Sequence, residues 1–158
     1  VGSVLDLGCG TGLAGAELRR FCSNLEGLDL SKLMIEEARK KNIYDRLTHN
    51  DIFDYLATEA LDFNYFIATD VFIYLGEVSD LFRLIKSRNQ RNGSLSFSTE
   101  HTEKPGFTLE ITGRFSHSKT YIESLCKTFD FRISRFKKTN LRKEKGEFIN
   151  GALYLLDF

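Results

Sequence analysis

Short apolar runs alternate with stripes at helical spacing along this chain, the pattern of an α/β domain. Val4, Leu5 and Leu7 predict a buried strand that ends in a glycine-rich turn. Leu13, Ala14, Leu18, Phe21 and Cys22 recur at 3.6-residue spacing and predict a helix that buries this stripe. "LEGLDLS" predicts a second strand, and Ser31 is a natural N-cap for a helix over "KLMIEEARKKN". "DRLTHND" predicts a short third strand, with His49 inside it as a structural residue. "FNYFIATD" is apolar on both faces and predicts a central fourth strand.

A helix around Val78, Leu81, Phe82 and Ile85 follows, and Asn92-Gly93 marks a turn before a fifth strand, "SLSFSTE". Residues 100–117 show no period and hold the sole proline, Pro105, so they read as a long functional loop. Ser118 is expected to cap a helix that buries Tyr121, Ile122, Leu125 and Cys126. "FDFRISRF" and "EFINGALYLLDF" predict an antiparallel pair joined by a charged connection.

At 158 residues with no internal repeat, residues 1–158 are read as one domain. Net charge is zero, so no global field draws in a polyanion or an acidic membrane. No apolar run nears the roughly 20 residues that span a bilayer. Cys9, Cys22 and Cys126, odd in number and widely spaced, fit reduced thiols in a cytoplasmic protein and no zinc site. Only three residues precede the first apolar run, so a fragment of a longer chain is expected.

The stretch "VLDLGCGTGLAG" contains two glycine spacings. Gly10-x-Gly12-x-x-Gly15 suits a dinucleotide, whereas Asp6-x-Gly8-x-Gly10-x-Gly12 places a carboxylate at the strand end. That carboxylate would repel a pyrophosphate and would favour a ligand of cationic character such as S-adenosylmethionine. On this reading Asp6 lies near the amino-acid end of the ligand. Gly8, Gly10 and Gly12 let the backbone approach it, and Cys9 is small filler, with no basic neighbour to make a thiolate.

"VLDLGCGTG" resembles the first motif of the class I S-adenosylmethionine-dependent methyltransferases. The resemblance implies a Rossmann-like, mostly parallel, twisted seven-stranded sheet with an antiparallel C-terminal strand pair and helices on both faces. By the same resemblance Asp29 holds both ribose hydroxyls, as two acceptor oxygens can. Asp51 takes the adenine amino group, Ile52 packs on one face of the ring, and Leu30 and Met34 line the other. Plain core packing is the alternative for the three apolar residues, and a turn acid is the alternative for Asp51. Thr69 and Asp70 fall where this fold contacts the methionine part.

Downstream, "ATDVFIYLGEVSDLF", "FSTE", "GRFSHSKTYIESL" and "LRKEKGEFINGALYLL" resemble predicted methyltransferases that often carry tetratricopeptide repeats ahead of the catalytic domain. That likeness implies missing N-terminal helices or repeats, and it puts Arg114 and His117 of "GRFSHS" forward as catalytic candidates. Arg114 would hold an acceptor carboxylate or else tie the loop down, and His117 would titrate near neutrality as a base or else belong to the cap of the following helix. Tyr74 is a third candidate, pointing into the pocket mouth or else covering a helix. Glu100 and His101 are further candidate bases, with a solvated loop histidine as the favoured reading of His101, and "RFKKTNLRKEK" reads as a solvated hairpin face or else as a contact for an acidic or nucleic-acid substrate.

The expected activity is methyl transfer from S-adenosylmethionine to a small-molecule or protein acceptor. Base-amino DNA methylation is disfavoured, because Thr69-Asp70-Val71-Phe72 stands where those enzymes have a double-proline motif. Two alternatives stay open: a catalytically inactive S-adenosylmethionine-binding module, and an NAD-dependent oxidoreductase, since Asp29 alone would suit either ribose.

Overall fold

The computed structural model describes residues 2–144 and 146–158; the side chains of Arg142, Glu144 and Glu147 are not described. Strand β1 (Ser3–Leu7) runs into the glycine turn, and α1 (Leu13–Leu18) leaves it. Then come β2 (Asn24–Asp29), α2 (Lys32–Lys40), β3 (Arg46–His49), α3 (Ile52–Thr58) and β4 (Tyr65–Ala68). A short 3-10 turn at Phe72–Tyr74 leads to α4 (Ser79–Arg88) and β5 (Ser94–His101). The chain finishes with β6 (Phe107–Leu109), β7 (Phe115–His117), α5 (Lys119–Phe129), β8 (Arg132–Glu144) and β9 (Glu147–Asp157).

Strands β3, β2, β1, β4 and β5 lie side by side and parallel, and β4 is flanked by β1 and β5, as its two apolar faces require. Strand β9 closes on β5 in antiparallel register from Ser94 opposite Asp157 to Glu100 opposite Gly151, and β8 pairs outside it. These seven strands form the expected sheet. At its carboxyl end β5 also pairs with β7, at Glu100 and His101, and β7 carries β6 as an antiparallel partner.

Alternation along the strands divides the core. Leu5, Leu7, Phe66, Phe97 and Leu156 face α3, α4 and α5 in one large cluster. Phe97 stacks between Phe72 at 4.3 Å and Tyr154 at 4.9 Å between ring centroids. Such pairs add about 0.5–1.5 kcal/mol each beyond the area they bury. The opposite face holds a smaller cluster, Val4, Cys22 and Leu25, with Leu18 packed on it.

Local signals explain the caps. The Ser31 hydroxyl accepts from the Met34 N–H, and the Ser118 hydroxyl accepts from the Tyr121 N–H, each closing the first turn of its helix.

Several expectations are corrected. The first helix is short and continues as a 3-10 turn, Arg19–Phe21, so the apolar stripe is not buried throughout. Leu13 is 72% and Phe21 56% exposed. Phe21 lines an apolar groove of about 710 Å³ beside Val4, Leu18, Tyr65 and Ile67. Residues 100–117 contain the end of β5 and the β6–β7 hairpin, whose strands are too short to leave a readable period. Helix α3 and the 3-10 turn at Phe72–Tyr74 were not anticipated. The charged segment 135–145 belongs largely to β8, and Lys145 lies outside the described residues, as does Val1. His49 is exposed and donates to the Leu30 carbonyl at 3.0 Å, tying the end of β3 to the end of β2. Among the described residues, no helix is long and apolar enough to cross a membrane.

Candidate functional site

The carboxyl ends of β1, β2 and β4 meet at one edge of the sheet, the place where doubly wound folds bind ligands. Two adjoining cavities of about 260 and 430 Å³ open there. Gly8, Asp29, Asp70 and Tyr74 line both, so they are lobes of one site large enough for a small organic molecule.

Asp29 stands at the junction of the lobes. Its Oδ2 accepts from the Gly10 N–H at 2.9 Å and its Oδ1 from the Ser31 N–H at 2.8 Å. Both oxygens are thereby aimed, and each keeps a lone pair for a ligand. Gly10 has φ 53°, and a Cβ there would meet nothing within 4 Å, so the bare backbone faces open space. The other glycines serve the protein. A Cβ on Gly8 would sit 2.6 Å from Val71 Cγ2, and one on Gly12 would sit 3.0 Å from the Tyr44 ring. Gly12 lines neither lobe, although its neighbours Thr11 and Leu13 line the larger one.

Leu30, Asp51 and Ile52 line the smaller lobe together. Leu30 is 69% exposed and is therefore no core residue, whereas Ile52 also packs on the core. Asp51 is the N-cap of α3: its Oδ1 accepts from the Phe53 N–H at 2.8 Å and the Asp54 N–H at 3.2 Å. The cap reading and the cavity placement hold together. Met34 lines the larger lobe with Cys9 and Thr69. Asp70 holds a left-handed backbone at φ 55°, and its N–H donates to Ser98 Oγ at 2.9 Å. Tyr74 is exposed and lines both lobes.

Asp6 departs from expectation. It is fully buried beneath the turn and lines neither lobe. Tyr44 Oη donates to its Oδ2 at 2.7 Å, and its Oδ1 is buried with no hydrogen-bond partner among the described residues. Burial pushes the Asp6 carboxyl up to about 6; the Tyr44 hydrogen bond opposes this, and Asp29 adds to it. Tyr44 carried no signal in the sequence, since it contacts Asp6 from 38 positions away. The lining itself also favours positive charge. Asp29, Asp51 and Asp70 are acidic, and no described lining residue of either lobe is Lys, Arg or His. Cys9, pushed up to about 12 by burial and by Asp6 and Asp29, is no nucleophile.

The catalytic candidates from the downstream motif fall elsewhere. His117 is fully buried; its Nε2 donates to the Gly76 carbonyl at 2.9 Å, and burial lowers its affinity for a proton. Phe72, Phe107 and Tyr121 rings surround it. Arg114 Nη1 lies 4.0 Å from Glu100 Oε1. Neither His117 nor Arg114 lines the lobes, because β7 packs behind the 3-10 turn that carries Tyr74. His101 lines a separate cavity of about 550 Å³ and bonds Glu103. Among the described residues, no group of three or more His, Cys, Asp or Glu is placed to hold a metal.

Residues 4–93 match the methyltransferase domain family, which is more than half of the chain. The chain belongs to this family. Solved structures agree on the fold of the methyltransferase. It is similar to the N-methyltransferase NodS of Bradyrhizobium japonicum, solved with S-adenosyl-L-homocysteine, at TM-score 0.78 and 18% identity over 99% of this chain and 78% of that one. The magnesium protoporphyrin IX methyltransferase of Synechocystis, also solved with S-adenosylhomocysteine, gives 0.76 and 22% over 98% and 73%. An S-adenosylmethionine-dependent methyltransferase of Clostridium acetobutylicum gives 0.73 and 19% over 99% and 83%. No curated protein matches the sequence.

Proposed function

We propose that this methyltransferase binds S-adenosylmethionine in the two-lobed site and passes its methyl group to a small-molecule or protein acceptor. The observation that carries the reading is Asp29, whose two oxygens are fixed by the Gly10 and Ser31 N–H groups where the lobes join. That is the placement a vicinal diol requires, and it leaves one lobe for a base and the other for a charged tail. Asp51, Ile52 and Leu30 would hold the adenine in the smaller lobe, and Gly8, Cys9, Gly10, Thr69 and Asp70 would hold the methionine part.

Bound, the cofactor supplies a methyl group already activated on a sulfonium. The residues then need to exclude water and align the acceptor, and positioning of that kind can supply roughly 7–11 kcal/mol. Tyr74, exposed and lining both lobes, would face the acceptor. A diphosphate would meet an acidic lining, which disfavours a nicotinamide dinucleotide.

Titration calorimetry with S-adenosylhomocysteine and with NADH tests this. Asp29→Ala should weaken binding of S-adenosylhomocysteine by about 1.5–3 kcal/mol, the cost of removing hydrogen bonds to a charged group. Binding of NADH without S-adenosylhomocysteine would overturn the assignment. Radiolabelled methyl transfer into a cell extract then identifies the acceptor class.

A further inference from the structure

We infer that Tyr44 is a positioning residue of the cofactor site: it clamps the glycine turn from below and holds Asp6 as an ion under the larger lobe. The inference rests on the reading of that lobe as the cofactor site. Three glycines from separate elements are hollowed out for this one ring. A Cβ on Gly15 in α1 would lie 2.2 Å from Tyr44 Oη, one on Gly27 in β2 would lie 2.8 Å from Cε1, and one on Gly12 in the turn would lie 3.0 Å from Cε2. The third glycine of the dinucleotide-like spacing, Gly15, thus makes room for the tyrosine. Seated there, Tyr44 Oη reaches Asp6 Oδ2 at 2.7 Å and is the one hydrogen-bond donor to that carboxylate among the described residues.

The electrostatic consequence follows from what faces Asp6. Tyr44 donates to it from the segment before β3, Asp29 repels it from the end of β2, and the Cys9 thiol adjoins it from the turn. Its neighbours in strand register, Gly27 and Ile67, and Gly15 on α1 carry no charge. Burial and Asp29 both favour the protonated acid, and Tyr44 alone opposes them. The phenol itself is pushed well above its ordinary range by burial and by Asp6, so it remains a donor at every working pH. Affinity for a ligand of net positive charge should therefore fall as pH drops through about 6, because the site then loses a buried negative charge.

The test is calorimetric titration of the whole chain with S-adenosylmethionine, net positive, and S-adenosylhomocysteine, net neutral, from pH 5.5 to 8.5. Tyr44→Phe keeps the ring in its notch and deletes the donor, which should move the acid-side loss of S-adenosylmethionine affinity up by about one pH unit. At pH 6.5 the variant should bind S-adenosylmethionine about threefold more weakly than the parent, and at pH 8.5 the two should converge. The neutral ligand should show the smaller effect. A purely structural role would lower affinity equally at every pH, and that result, or an unmoved profile, overturns the inference. Should Tyr44→Phe fail to fold, Asp6→Asn decides: it should abolish the acid-side loss, and its persistence would overturn the inference. A parent chain that binds neither ligand would instead overturn the cofactor assignment itself.

Discussion

Asp6→Asn offers the most direct measure of the charge stored beneath the turn. In the cofactor-free chain the carboxyl is raised from 3.8 to about 6, chiefly by burial. A group raised in this way contributes stability that is complete below its unfolded value near 4 and is lost as pH rises through about 6. Roughly two pKa units at about 1.4 kcal/mol each give a loss of about 3 kcal/mol across the whole titration, and about 1.3 kcal/mol of it falls between pH 5 and 8. Asparagine keeps an acceptor for Tyr44 and cannot ionise. It also places an unpaired amide where Oδ1 was, which costs about 1–3 kcal/mol, but that cost does not change with pH. The informative quantity is thus the difference between parent and variant, followed by urea unfolding under circular dichroism at pH 5, 6.5 and 8. The variant should gain on the parent by about 1.3 kcal/mol from pH 5 to pH 8. Two curves that run parallel would show that Asp6 is not raised in the folded chain, and the electrostatic account of the turn would fail with it.

Two further substitutions probe the site's supports. Asp51→Ala removes the cap of α3 and should cost about 1 kcal/mol of stability, read as a lower melting temperature, together with weaker binding of S-adenosylhomocysteine; unchanged binding would leave Asp51 as a cap alone. Gly15→Ala drives a methyl group into Tyr44 and should cost about 1–3 kcal/mol, a cost that should shrink in a Tyr44→Ala background if the notch belongs to that ring.

What was legible in the sequence was whatever is encoded locally. The alternation of runs and stripes gave the parallel strands, and the Ser31 and Ser118 caps stand beside the helices they start. The acidic residues at the ends of β2 and β4 lie in the site because strand ends converge there. Periodicity reports that a stripe is apolar but not what it packs against, so Leu13 and Phe21 read as core and are exposed. The likeness carried by "GRFSHS" made His117 look like a catalytic candidate, whereas the aromatic rings of β6, the 3-10 turn and α5 close over it once the chain is folded. Tyr44 stayed hidden for the same reason. Its partners are three glycines and an aspartate whose common purpose exists only once the sheet is assembled.

The distribution of cost across the molecule also points to the site. At the amino ends of the strands the polar groups are paired: Asn64 accepts from the Ser3 N–H at 3.0 Å, and Arg132 bonds Asp157 at 2.6 Å. At the carboxyl ends the chain carries a buried acid with an unpartnered oxygen, and a non-glycine residue, Asp70, in a left-handed conformation that costs about 1–3 kcal/mol. Leu13, Leu30, Met34 and Tyr74 are exposed there as well, all of them on the lining of the lobes. A bound ligand of partly apolar surface would cover these four side chains. Among the described residues Asn42 and Asp130 are left-handed too, and Thr99 and Tyr154 also carry buried unpartnered oxygens away from the lobes, so what distinguishes this edge is that strained backbone and exposed apolar side chains meet there around an acidic cavity.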